Sequence, residues 1–371
     1  MTLPLKKVLP LLLALGLSME IAARVEDRVR YGTEFFSPYR EQSEMIVRDA
    51  DGVHGRRNAR FQKWRMNNLG FRGPDTDSAQ GAGTLRVIAT GASETFGLYE
   101  PEGKEYPRQL EDSLDLALPA LDCSGVRRVE VLNAAMAGMT LPTVTQDVRL
   151  RLSRFDPAVV VYYPTPTQYL ADALPAAARP DSSASGPASP DWRRRLHPRI
   201  SDRIREQAKG LLPGRLQDYL RTRMVARTVA AHPPGWRFEA LPTDRLDAYE
   251  QDLRTFVGVA RSVGAEPVLA THANAFPPGE VPNQRLLHIW ERFYPRATGE
   301  VILAFDSAAA ARTRLVARDS AAALADVLGA VGPGGFADDT HFNAAGSSAV
   351  AGVLTDAIVA AVRRAECSPT P

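Results

Sequence analysis

The 371-residue chain balances 45 lysines and arginines against 43 aspartates and glutamates, a net charge of +2. It lacks the concentrated basic footprint that phosphate backbones require, so no nucleic-acid partner is expected. With 44% hydrophobic and 24% charged residues it is neither disordered nor wholly membrane-embedded, and two cysteines, Cys123 and Cys367, exclude a disulfide framework or a thiolate metal cluster and leave one bridge to consider.

Lys6 and Lys7 precede the apolar run from Val8 to Met19, which Glu20 interrupts. The run is shorter than the roughly 17 to 25 residues of a full span. Residues 1–24 therefore read as a signal peptide, or as an N-terminal membrane anchor whose Glu20 and Arg24 pair at i, i+4 near the outer interface. In both cases Lys6 and Lys7 stay inside, and the remainder is expected in the cell envelope, on the periplasmic side; the plainer alternative is a buried N-terminal helix of a cytoplasmic protein. Residues 25–84 are a charged, irregular lead-in containing the loop-like RMNNLGFRGPD, Arg65 to Asp75.

The expected domain runs from 85 to 365. LRVIATG (Leu85 to Gly91) has the β-branched, uncharged centre of a buried parallel strand, and SETFGLYE then starts a short helix. RRVEVLNAAMAG (127–138), DPAVVVYYPTPT (156–167) and EPVLATHANAF (266–276) repeat the pattern of strand followed by small or polar residues. Stretches of helical length separate them. Strands alternating with helices predict a three-layer α/β/α, doubly wound (flavodoxin-like) parallel sheet. Residues of about 171–242 break the alternation: a Pro/Ala/Ser-rich linker leads into arginine-rich helices, read as an insertion that forms a solvated excursion, a lid, or a face resting on anionic lipid or glycan.

In a doubly wound sheet, ligands gather beyond the carboxyl ends of the strands. That rule makes Ser93, Gly138, Thr165 and His272 neighbours. A serine becomes nucleophilic when an imidazole takes its proton and a carboxylate fixes that imidazole. His341, in ADDTHFNAAG, lies three residues after Asp338, a spacing that closes an orienting pair within one turn. Asp51 and His54 have the same spacing among charged loop residues and read as a surface turn. His197, His232 and His288 read as structural. His272 and Asn274, after the fourth strand, are candidates for contacting substrate, with strand capping as the plainer alternative for His272.

These blocks resemble the SGNH (GDSL-type) hydrolases of the bacterial cell envelope over roughly residues 65 to 365. Gly91-Ala92-Ser93 is similar to the family's Gly-Asp-Ser block, with Ala92 in place of the aspartate. VLNAAMAGMT resembles the second block and DDTHFNAAG the last. The resemblance implies Ser93 as nucleophile, His341 as base, Asp338 as its orienting acid, and the N–H groups of Ser93 and Gly138 as oxyanion donors. The family's third block ends in an asparagine that is absent from VVVYYPTPTQYL, so Thr165, Thr167 or Gln168 is the candidate replacement. The implied activity is serine esterase or deacylase action on an ester-bearing substrate such as an O-acylated glycan, with no metal or organic cofactor. A glycan O-acyltransferase using the same site and a catalytically inactive glycan-binding or assembly factor are the alternatives.

Overall fold

The computed structural model describes residues 5–179, 192–211, 213–277 and 279–366. The chain opens with helix α1 (Leu5–Tyr31) and two small antiparallel ribbons, β1 (Ile46–Asp49) with β2 (Gly52–Gly55) and β3 (Arg60–Phe61) with β4 (Trp64–Arg65). Next come β5 (Thr84–Thr90), α2 (Ser93–Phe96), α3 (Tyr106–Leu116), β6 (Arg128–Asn133), α4 (Leu141–Leu150) and β7 (Val159–Tyr162). The inserted helices α5 (Trp192–Arg195), α6 (Arg199–Leu211) and α7 (Gly214–Ala230) follow. The chain ends with α8 (Thr243–Ser262), β8 (Glu266–Ala270), α9 (Gln284–Phe293), α10 (Gly299–Asp319), β9 (Ala323–Ala325) and α11 (Ala344–Glu366).

Strands β5 to β9 form one parallel sheet in the order β6-β5-β7-β8-β9. Counted along the chain this is 2-1-3-4-5, the flavodoxin-like doubly wound order. A parallel sheet buried on both sides needs apolar residues at successive positions, which is why Val87 to Ala89 of β5 and Val159 to Val161 of β7 read as continuous hydrophobic runs. Ile88, Leu132, Val160 and Leu269 pack beneath α4, α8 and α10, whereas Val87, Val131, Val159, Val161 and Val268 pack against α3 and α11. The four expected strands are present. The fifth, β9, is only Ala-Leu-Ala, a sequence with little β-propensity of its own.

The lead-in is more than the irregular stretch its composition suggests. Met45, Phe61, Met66 and Phe71 join the main core, and Asn67 organises the NNLGFRG turn by accepting the N–H groups of Leu69 and Phe71. The turn delivers Arg72 to the end of α2, where its buried guanidinium donates to the carbonyls of Phe96 and Gly97 and lies 3.6 Å from Glu105. Arg72→Met leaves Glu105 a buried carboxylate without its cation. Removing one partner of such a pair costs about 3 to 5 kcal/mol, and a fall of that size in urea-unfolding free energy is the expected result.

Among the described residues, two helices are long and apolar enough to cross a membrane. Ala344–Ala365, of mean hydropathy 1.6, is half buried, as a core helix against the sheet. Val8–Tyr31, of mean hydropathy 1.8, is only 11% buried. The Glu20–Arg24 pair forms at 2.5 Å. Most of the Pro/Ala/Ser-rich linker, and any Cys123–Cys367 bridge, lie outside the described residues. From Trp192 to Ala230 the described chain forms α5, α6 and α7, which carry many arginines.

Candidate active site

The sheet order decides what meets at its carboxyl edge. Gly91, Ala92 and Ser93 leave β5 between the exits of β6 and β7, because Ala134 N–H bonds Ala89 on one side and Tyr163 N–H bonds Thr90 on the other. Gly91 has φ +153°, and a Cβ there would sit 2.7 Å from the Tyr163 carbonyl, so only glycine lets the chain turn so close to β7. Beyond that turn Ser93 begins α2, where first-turn N–H groups have no partner within the helix. Gly138, at φ +81°, is exposed in the turn after β6, and its N–H makes no hydrogen bond among the described residues. Thr165 follows β7 and His272 follows β8, as the strand-end rule requires.

Asp338 and His341 come together locally. One Asp338 oxygen accepts the N–H groups of Thr340 and His341, closing a turn that folds the imidazole back onto its own carboxylate. Nδ1 of His341 then lies 2.9 Å from both carboxylate oxygens, while Nε2 is buried with no hydrogen-bond partner. The ring packs edge-on against Tyr99, with centroids 5.1 Å apart. Burial favours the neutral imidazole, but the Asp338 hydrogen bond and the charges of Glu94, Asp338 and Asp339 outweigh it and raise His341 to about 9. Asp339, buried beside Asp338, is pushed up to about 7.

Ser93 is not hydrogen-bonded to His341. Its hydroxyl donates instead to Oε2 of Glu94 at 3.2 Å, and the Thr165 hydroxyl donates to the same oxygen at 3.2 Å. The other Glu94 oxygen lies 3.8 Å from Nε2 of His272, whose Nδ1 is 2.7 Å from Asp306; Asn274 donates to the second Asp306 oxygen at 2.7 Å. Glu94, His272 and Asp306 are each at most 2% exposed. Burial raises the Glu94 carboxyl, yet the His272 imidazole facing it and the charge of His341 prevail and bring it to about 2. Burial alone would lower His272, but Asp306 and then Glu94 raise it to about 10.

These contacts redirect four expected roles. His272 has both ring nitrogens facing carboxylates and none facing a crevice, so it is not placed to touch substrate. Asn274 is likewise occupied, by Asp306 and by the Phe276 N–H its own oxygen accepts. The Thr165 hydroxyl proton goes to Glu94, which leaves it no side-chain proton for an oxyanion. Gln168 donates to the Met139 carbonyl at 3.0 Å. Glu94 and Asp306 were not singled out from the sequence. The available signals were a carboxylate set against Ser93 in the apolar TFG turn and an aspartate amid the apolar and alanine residues of α10. Elsewhere His54 pairs with Asp49 rather than Asp51, which bonds Arg154, and His232 stacks on Trp236.

No family model matches the sequence, and no curated protein matches it. Among solved structures, an acetylxylan esterase from Geobacillus stearothermophilus is 13% identical, with 74% of this chain and 94% of that one covered at a TM-score of 0.41. A GDSL-like lipase from Bacteroides thetaiotaomicron is 12% identical, covering 76% and 89% at 0.38. TesA is 16% identical, covering 74% and 97% at 0.36.

Proposed function

We propose that this chain is an SGNH-type serine esterase of the cell envelope, held at the membrane by α1 and removing O-acyl groups from a glycan. The observation that supports the reading is the Asp338–His341 dyad, bonded through Nδ1 with Nε2 left unpartnered and its ring packed on Tyr99, six residues after Ser93. Ser93 Oγ attacks the ester carbonyl carbon as its proton passes to Nε2 of His341. Asp338 stabilises the imidazolium, which then protonates the departing alcohol. The N–H groups of Ser93 and Gly138 receive the oxyanion. Water, deprotonated by His341, releases the acyl group and restores Ser93.

This cycle requires neutral His341, a form that grows as pH rises toward its value of about 9. The kcat/KM of the free enzyme is therefore expected to climb from neutral pH and level off above about pH 9. Asp338→Asn removes the main cause of the raised value, so the limb moves down toward the ordinary imidazole value while the plateau falls. A profile flat from pH 6 to 10 in the wild type rules His341 out as the base.

The Ser93–Glu94 hydrogen bond favours a second reading, a glycan-binding factor whose serine is not a nucleophile. Release of acetate from O-acetylated polysaccharide, with a short-chain chromogenic ester in parallel, separates the two. Turnover of either ester supports the esterase. Tight binding of acetylated polysaccharide with no turnover on either overturns it.

A further inference from the structure

The inserted helices present a face that the ester chemistry leaves unused. On α7, Leu216, Tyr219, Leu220 and Met224 recur at i, i+3, i+4 and i+8 and so share one side of the helix, where they are 41%, 55%, 43% and 51% exposed. Val225, on the opposite side, is buried. Arg223 and Arg227 fall on the exposed apolar face with Arg215 at its flank, and all three are exposed. On α6, Ile204 and Leu211 are 53% and 84% exposed two turns apart.

The position of α6 is fixed by the end of the apolar part of α1. Glu20 accepts the N–H groups of Arg199 and Ile200 at 2.7 and 3.0 Å, capping the start of α6. Asp27, on the next turns of α1, holds Arg199 at 2.7 Å and Arg203 at 2.6 Å. Arg24 donates to the carbonyls of Arg195 and His197. The insertion therefore starts where Leu9 to Ile21, exposed and apolar, give way to charge. A cavity of about 640 Å³ lies at this seam, lined by Arg40, Arg199, Arg203 and Arg205 against Asp27, Glu41 and Asp202. Gln42 and Trp64 also line it, and the side-chain N–H groups of both are buried without a partner.

We propose that α6 and α7 lie on an anionic bilayer, with the leucine, tyrosine and methionine stripe in the headgroup region, the arginines on lipid phosphates, and the cavity at the foot of α1 taking a headgroup. A helix face that interleaves exposed apolar side chains with arginine suits the headgroup level of an anionic bilayer, where apolar groups and lipid phosphates lie side by side. An acidic glycan would satisfy the arginines but leave Leu216, Leu220 and Met224 in water. The proposal rests on reading α1 as the anchor.

The test is hydrogen exchange of the full chain in nanodiscs, of phosphatidylcholine alone or of phosphatidylcholine with phosphatidylglycerol at two to one. Amides of 199–211 and 214–230 are expected to exchange several-fold more slowly in the anionic discs. Joint Arg215→Glu, Arg223→Glu and Arg227→Glu substitution should remove that slowing, with unchanged exchange in 159–162 showing that the fold is intact. Equal exchange of 214–230 in both discs overturns the platform, as does stronger slowing by soluble polygalacturonate than by phosphatidylglycerol. Peptides covering 8–21 report separately on the anchor: free exchange there defeats the anchor reading and leaves the platform result to be read from 214–230.

Discussion

Ser93→Ala and His341→Ala are each expected to lower kcat on a short-chain chromogenic ester by roughly 10⁴ to 10⁶-fold, with the double variant scarcely worse than either single one. The near-equality follows from the chemistry. A serine without a base, or a base without a serine, performs no part of the attack, and what remains is binding and oxyanion stabilisation alone. Asp338→Asn should fall less far, because His341 keeps the N–H to carbonyl-oxygen contact but loses the charge that steadies the imidazolium. KM should change little in all three, since none of these groups is needed to hold a small ester. Independent losses in Ser93→Ala and His341→Ala that multiply in the double variant would mean that the two residues do not act together, and the triad assignment would fall.

In the resting site the Ser93 hydroxyl is directed to Glu94, so attack requires it to turn toward Nε2 of His341. A hydroxyl rotation is fast compared with turnover. Glu94→Gln keeps an acceptor for the Ser93 hydroxyl but removes the charge, and the weaker hold on the serine is expected to act toward faster attack.

The parts legible in the sequence are those whose cause is local. Val159 to Val161 announce a strand buried on both faces, and the Asp338-x-x-His341 spacing closes its own turn. Gly91 marks the tight exit from β5 for a steric reason that any sequence with this turn must meet. β9 was not legible, because Ala323 to Ala325 become a strand through pairing with β8, not through propensity. Glu94 and Asp306 escaped for a similar reason: their partner, His272, arrives from another strand, and in isolation each is one carboxylate on a helix. The lead-in gave composition but not contact, so the journey of Arg72 to the end of α2 could be seen only once the chain had folded.

Asp306→Ala is expected to destabilise the fold by about 3 to 5 kcal/mol, the scale for removing one member of a buried charged pair. It leaves His272 facing Glu94 alone and strips the Asn274 amide of its acceptor. The pH dependence distinguishes this from simple loss of packing. His272 is raised from 6.5 to about 10, so its contribution is complete below about pH 6.5 and is lost as pH rises through about 10. Glu94 is lowered from 4.5 to about 2, so its contribution is complete above about pH 4.5 and is lost as pH falls through about 2. Together they put the cluster's full effect between about pH 4.5 and 6.5. Urea unfolding at pH 5.5 and pH 9.5 should show Asp306→Ala most damaging at the lower value, with the gap to wild type narrowing at the higher one. A gap that is the same at both pH values would mean that Asp306 fills space rather than sustaining a buried imidazolium, and the charged chain behind Ser93 would have to be redrawn with His272 neutral.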